Sequence, residues 1–141
     1  MNAAEQAVSV DLASKIAAIV NRFKLEFPDA RADLKPWMND PDTQKLVDPD
    51  SIDLGFHFPG RSRRFQSRSI LVQIRFHEDE QTAEKRAIGL ELAGFDHQGK
   101  QWHFSTVNQW AFEGNCYPIP ETQEQLRAFC REILQMFTSS T

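Results

Sequence analysis

From residue 11 onward the apolar positions fall three and four apart: Leu12, Ile16, Ile19, Val20, Phe23 and Phe27. That spacing predicts an amphipathic helix with Lys15, Asn21, Arg22, Lys24 and Glu26 on its wet side. Asp11 is placed to cap the helix, and Pro28 ends it because its ring clashes with the preceding turn. At residue 51 the period changes to two. Ile52, Leu54, Phe56 and Phe58 alternate with Ser51, Asp53, Gly55 and His57, and a second run sets Ile70, Val72, Ile74 and Phe76 against Ser69, Leu71, Gln73 and Arg75. A third sets Ile88, Leu90 and Leu92 against Gly89, Glu91 and Ala93. A fourth turns Trp102, Phe104 and Thr106 inward, or His103, Ser105 and Val107 if the register slips by one, and 110–112 is placed to add a fifth strand.

Residues 95–101 read as a hairpin connection in which Gly99 can take a positive φ. After Pro118 and Pro120, Leu126, Phe129, Cys130, Ile133 and Phe137 repeat the helical stripe. Thr122 and Gln125 are spaced as a capping box there. The first ten residues lack a stripe and read as a frayed leader. Residues 29–50 read as an irregular connection, with Asp40 and Pro41 opening a short helix that ends near Val47. One-sided apolar strands need a cover. The prediction is therefore an α+β fold: a two-layer single domain over residues 1–141, with a meander of four or five antiparallel strands. The N-terminal and C-terminal helices pack on one face.

Composition narrows the function classes. A 141-residue chain buries about two-thirds of the surface it exposes when unfolded, enough for a core without metal or disulfide. The net charge of −4 opposes a duplex-DNA binder, which needs a broad basic face. The apolar run 16–20 is too short to span a membrane. No signal peptide is expected, and Cys116 and Cys130 match no metal or redox spacing. The reading is a cytoplasmic protein with reduced thiols.

Local chemistry is sparse. Between the first two strands, residues 60–68 hold Arg61, Arg63, Arg64 and Arg68 around Phe65, a set able to grip phosphate or carboxylate through bidentate guanidinium forks. Residues 77–84 are correspondingly acidic, and alternate connections of a meander lie at opposite ends of its sheet. A basic pole and an acidic pole follow, an arrangement that steers encounters with a charged partner. His57 and His103 fall on the polar face as prospective cross-strand neighbours, and Asp53, His57 and Glu91 could meet there as an acid–base group. No HExxH or paired Cys/His motif points to a metal, and no GxSxG elbow or glycine-rich phosphate loop occurs. Trp37, Phe65, Phe95, Trp110 and Tyr117 lie off the core stripes and either seal the sheet's ends or form a patch.

These features favour a binding or assembly module without catalysis or cofactor. It would engage a protein partner through the polar sheet face and the arginine connection, with Arg61, Arg63, Arg64, Phe65, Arg68, Arg75 and His57 as contact residues. A homodimer through the sheet is compatible with the pattern. Two alternatives stand beside this reading. One is an anionic small ligand or single-stranded nucleic acid at 61–68; the other is a small enzyme on the open sheet face.

Overall fold

The computed structural model describes residues 1–36, 50–82 and 85–138. The short helix expected at 40–47, and Trp37 with it, lie outside the described residues. Elements run α1 (Ala3–Gln6), α2 (Val10–Glu26), β1 (Arg31–Asp33), β2 (Ser51–Ser62), β3 (Ser67–Glu78), β4 (Lys85–Asp96), β5 (Gly99–Ser105), β6 (Ala111–Gly114) and α3 (Pro120–Thr138). The sheet is an open antiparallel one of six strands in chain order, against the expected four or five. The extra strand is β1. Three residues are too few to show a period, so pairing with β2 at Phe56 and His57, rather than any local pattern, makes Arg31–Asp33 a strand.

One face of the sheet and two helices form the core. Leu54, Val72, Leu92 and Phe104 are successive cross-strand neighbours from β2 to β5, all fully buried. Ile16, Ile19 and Phe23 of α2 join Leu126, Phe129, Cys130 and Ile133 of α3 in the same cluster. Phe23 is its hub: its ring stacks on Phe56 at 3.9 Å between centroids and meets Phe129 edge-on at 5.4 Å. Each such side chain contributes about 1.5–3 kcal/mol by leaving water. Gly94 leaves room on this face for Trp102, because a Cβ there would run into the indole ring. That indole donates its Nε1–H to the Phe65 carbonyl at 2.6 Å.

Several local expectations change. Ser9, not Asp11, caps α2, accepting the Leu12 N–H at 3.1 Å; Asp11 instead pairs with Lys15 one turn on. The Thr122–Gln125 capping box does not form, since α3 already begins at Pro120 and Gln125 instead joins Glu26 and Arg64. Residues 1–10 are not a frayed leader throughout. Asn2 bridges Asp53 on the edge of β2, the Asp53 N–H donates to the Met1 carbonyl at 2.8 Å, and Ala3 is fully buried. Backbone pairing at an open strand edge needs no hydrophobic period, so the pattern could not reveal it.

Ile88, expected in the core, is 52% exposed. Arg75 pairs with Gly89 but Phe76 pairs with Ala87, so Ile88 is a bulged residue and Ala87 takes its place against the core. Gly99 has φ +107° at the β4–β5 turn, as its position predicts. The arginine turn between β2 and β3 and the acidic connection between β3 and β4 lie at opposite ends of the sheet, as the antiparallel order requires.

Candidate functional site

The sheet's second face carries the polar half of each strand. His57 stands opposite Ser69 of β3 on one side and Arg31 of β1 on the other, with Asp33 two residues along β1. Its ring joins two of them. Nδ1 lies 2.8 Å from the Ser69 Oγ, and Nε2 lies 2.9 Å from the Asp33 Oδ2. The Lys35 backbone N–H donates to the other Asp33 oxygen at 2.9 Å. Partial burial works to raise the Asp33 pKa, but the hydrogen bonds from His57 and Lys35 outweigh it and hold the carboxyl below its usual range. Above this trio lies a slot of about 190 Å³ lined by Pro36, Gly55, His57, Ser69, Leu71 and Phe95.

Beside the slot, β2 bulges. His57 pairs with Ser69 and Ser62 with Ser67, so residues 58–61 face Arg68 alone. Such bulges re-aim side chains and open a ladder locally.

The acid–base group expected from Asp53, His57 and Glu91 does not assemble. Asp53 is fully buried, accepting from the Ser51 hydroxyl at 2.8 Å and the Gln73 amide at 3.3 Å, with the Met1 amino group 2.9 Å away. Glu91 is held by Arg75 and lies 3.4 Å from His103. His103 is not a neighbour of His57, because β3 and β4 separate their strands. Arg75, expected to meet a partner, spends its guanidinium on Glu91 within the sheet.

At the basic end, the turn is built by its own side chains. Gln66 takes a left-handed φ of 55°, its N–H donates to the Ser62 carbonyl at 2.8 Å, and its side chain links Arg61 to the Arg63 carbonyl. Arg63 and Arg68 are exposed. Arg61 lies 3.9 Å from Asp96. Arg64 is partly structural: it covers the Phe27 ring at 5.1 Å and donates to Gln125 at 2.6 Å. Phe65 corrects the sequence reading outright. It is 1% exposed, against Phe27 and Phe58 at 4.6 and 4.8 Å, because the turn folds it back to close the end of the core. It cannot stack on a base or a partner. Exposed beside this turn are Tyr117 and Ile119, and the Ile119 N–H donates to the Arg64 carbonyl at 3.1 Å.

A family model described as a domain of unknown function matches residues 4–139. The chain belongs to that family. No curated protein and no solved structure matches it.

Among the described residues no three His, Cys, Asp or Glu side chains are grouped to hold a metal ion. Cys130 is enclosed in the core, where burial pushes its thiol pKa up and leaves it inert. No helix of the described residues is long and apolar enough to cross a membrane. Sequence reasoning missed Asp33 and Ser69. Ser69 was legible as a polar-face residue, but pairing it with His57 requires the hairpin register, and the 58–61 bulge hides that register. Asp33 lay in a stretch without a readable period.

Proposed function

We propose that the chain is a single-domain binding module that receives an acidic segment of a partner protein at the arginine end of its sheet. The observation that carries this reading is the hydrogen bond from the Ile119 N–H to the Arg64 carbonyl, which sets the exposed Ile119, and Tyr117 two residues before it, beside the arginine turn; the two are 38% and 49% exposed. Tyrosine and arginine around an aliphatic contact are the residue types in which binding energy concentrates. Guanidinium groups recognise carboxylates by paired donors. The opposite end, where Asp50, Asp79 and Glu80 are exposed, repels the same segment and so orients its approach. With Phe65 enclosed, single-stranded nucleic acid loses its stacking platform, which favours a protein partner. Cys116 and Cys130 are both free, which suits a reducing compartment such as the cytoplasm.

Crosslinking of the protein in native extract, with the crosslinks mapped by mass spectrometry, tests the reading. Contacts should map to the 61–64 turn and Tyr117. They should disappear in Arg61→Gln/Arg63→Gln and in 0.5 M salt, a concentration that shortens the screening length well below its physiological ~8 Å. Crosslinks elsewhere, or contacts indifferent to both changes, would refute it. A second copy bound through its acidic end would appear as self-crosslinks.

A further inference from the structure

We propose that Ser69 is an activated nucleophile that accepts the acyl group of small activated esters, with His57 as its base and Asp33 as the positioning residue. This goes beyond the partner-binding reading and does not depend on it.

Three observations on the second face carry it. First, the proton path is complete. Asp33 is a carboxylate whose Oδ1 is fixed by the Lys35 N–H and whose Oδ2 lies 2.9 Å from His57 Nε2. A carboxylate only accepts, so Nε2 carries the proton, and in the neutral ring Nδ1 then presents its lone pair to the Ser69 hydroxyl at 2.8 Å. That is the nucleophile, base and orienting group of acyl-transfer chemistry, here with Nδ1 as the basic atom. Second, the slot of about 190 Å³ opens on these atoms. Apart from His57 and Ser69, the side chains of Pro36, Leu71 and Phe95 line it, which suits a short acyl or aryl group. Third, the 58–61 bulge loosens the ladder on one side of Ser69.

In the reaction, Ser69 Oγ bonds to the ester carbonyl carbon as its proton passes to His57 Nδ1. Collapse of the tetrahedral adduct breaks the bond to the leaving oxygen, which departs as the alcohol with that proton. Water, deprotonated by His57, then releases the acid and restores Ser69. Among the described residues the apolar lining supplies no side chain to hold the oxyanion. The substrate class is therefore esters with good leaving groups rather than amides, and the rate gain is that of base catalysis, about 10²–10⁴-fold.

The test is incubation of the full chain with p-nitrophenyl acetate, followed by mass spectrometry of the intact protein and its peptides, with each variant's fold checked by circular dichroism. An acetyl group should appear on the peptide holding Ser69, be absent in Ser69→Ala, and form at least about 100-fold more slowly in His57→Gln. Asp33→Asn should slow acetylation, and Asp33→Glu, which keeps a carboxylate acceptor for His57, should recover part of the rate. A merely structural Asp33 would leave the acetylation rate of a folded Asp33→Asn unchanged. Acetylation of another residue instead, or a Ser69 adduct indifferent to His57→Gln, overturns the proposal. Should Ser69→Ala fail to fold, Ser69→Cys decides: its thiol should react with iodoacetamide at pH 6 faster than Cys116, and equal rates overturn the proposal. Neither readout involves salt-sensitive crosslinks, so this idea and the partner-binding reading fail separately.

Discussion

Two rows of side chains one residue apart cross the same four strands. Leu54, Val72, Leu92 and Phe104 form one; Asp53, Gln73, Glu91 and Ser105 form the other, on the opposite face. The first is held by packing under α2 and α3. The second is held by hydrogen bonds and ion pairs, among them Ser51 and Gln73 on Asp53 and Arg75 on Glu91. The backbone ladder is common to both, so the difference is purely one of side-chain chemistry. Packing is insensitive to pH and salt, and its loss scales with volume. Polar pairing is directional, and a missing partner costs more than the bond was worth. Stability should therefore reside on the helix-covered face and reactivity on the other.

The largest break comes from Phe23→Ala. It empties the ring space between Phe56, Phe65 and Phe129, and large aromatic-to-alanine changes in cores cost about 3–5 kcal/mol. Urea unfolding should show the midpoint falling at an unchanged slope. A loss below about 1 kcal/mol would mean that the two faces share the load.

Ser51→Ala probes the polar face at its most buried point. It removes the hydroxyl 2.8 Å from the Asp53 carboxylate and leaves a fully buried anion one donor short. About 1–3 kcal/mol should be lost, and Ser51→Cys, with its weaker donor, should recover only part. A neutral effect would put Asp53 in contact with water and weaken the contrast between the rows.

How far the two faces could be read from sequence follows the same division. The packed face was legible wherever alternation ran unbroken: Ile52 to Phe56, Ile70 to Ile74, and Leu90 with Leu92 were all placed inward and are buried. It failed at Ile88, where one bulged residue inverts the parity. The polar face was legible only strand by strand. Which polar groups meet depends on register, and the β2–β3 turn alone gives the wrong one: Ser62 pairs with Ser67, yet Ser51 pairs with Arg75, an offset absorbed by the bulge. Alternation alone therefore matches His57 with Asp53, Glu91 and His103 rather than with Ser69 and Asp33. Phe65 illustrates a third limit, since a turn residue's direction is set by a left-handed neighbour, here Gln66, that no hydrophobic period signals.

A turn at the rim of both faces gives a smaller effect of opposite sign. Gln109 and Trp110 both hold positive φ, 61° and 54°, in the β5–β6 connection. Trp110 is kept there by its edge-on contact with Phe104 and by Arg127 donating to its carbonyl. Gln109 is half of a strained pair with an exposed side chain. Gln109→Gly should raise stability by about 0.5–1 kcal/mol through relief of that conformation, less the greater entropy of an unfolded glycine. A fall in melting temperature would show that the side chain makes a contact that outweighs the strain.

The smallest effect is the most direct probe of the contrast, because it reads the two faces by acid. Asp33 has its pKa lowered by His57 and Lys35 against the opposing pull of burial. A carboxyl held below its unfolded value stabilises the fold above that value, near 3.8, and loses this contribution as pH falls through its folded value. Because Asp33 is about one-third exposed, the contribution is under about 1 kcal/mol. In Asp33→Asn, stability measured by urea at pH 7 should fall by that small amount, and the gap from wild type should narrow as pH falls below 3.8. Phe23→Ala should instead keep its full deficit at both pH values, since nothing it removes can titrate. A gap as wide at pH 3 as at pH 7 for Asp33→Asn would mean that Asp33 acts through shape rather than charge, and the second face would then be held in the same way as the first.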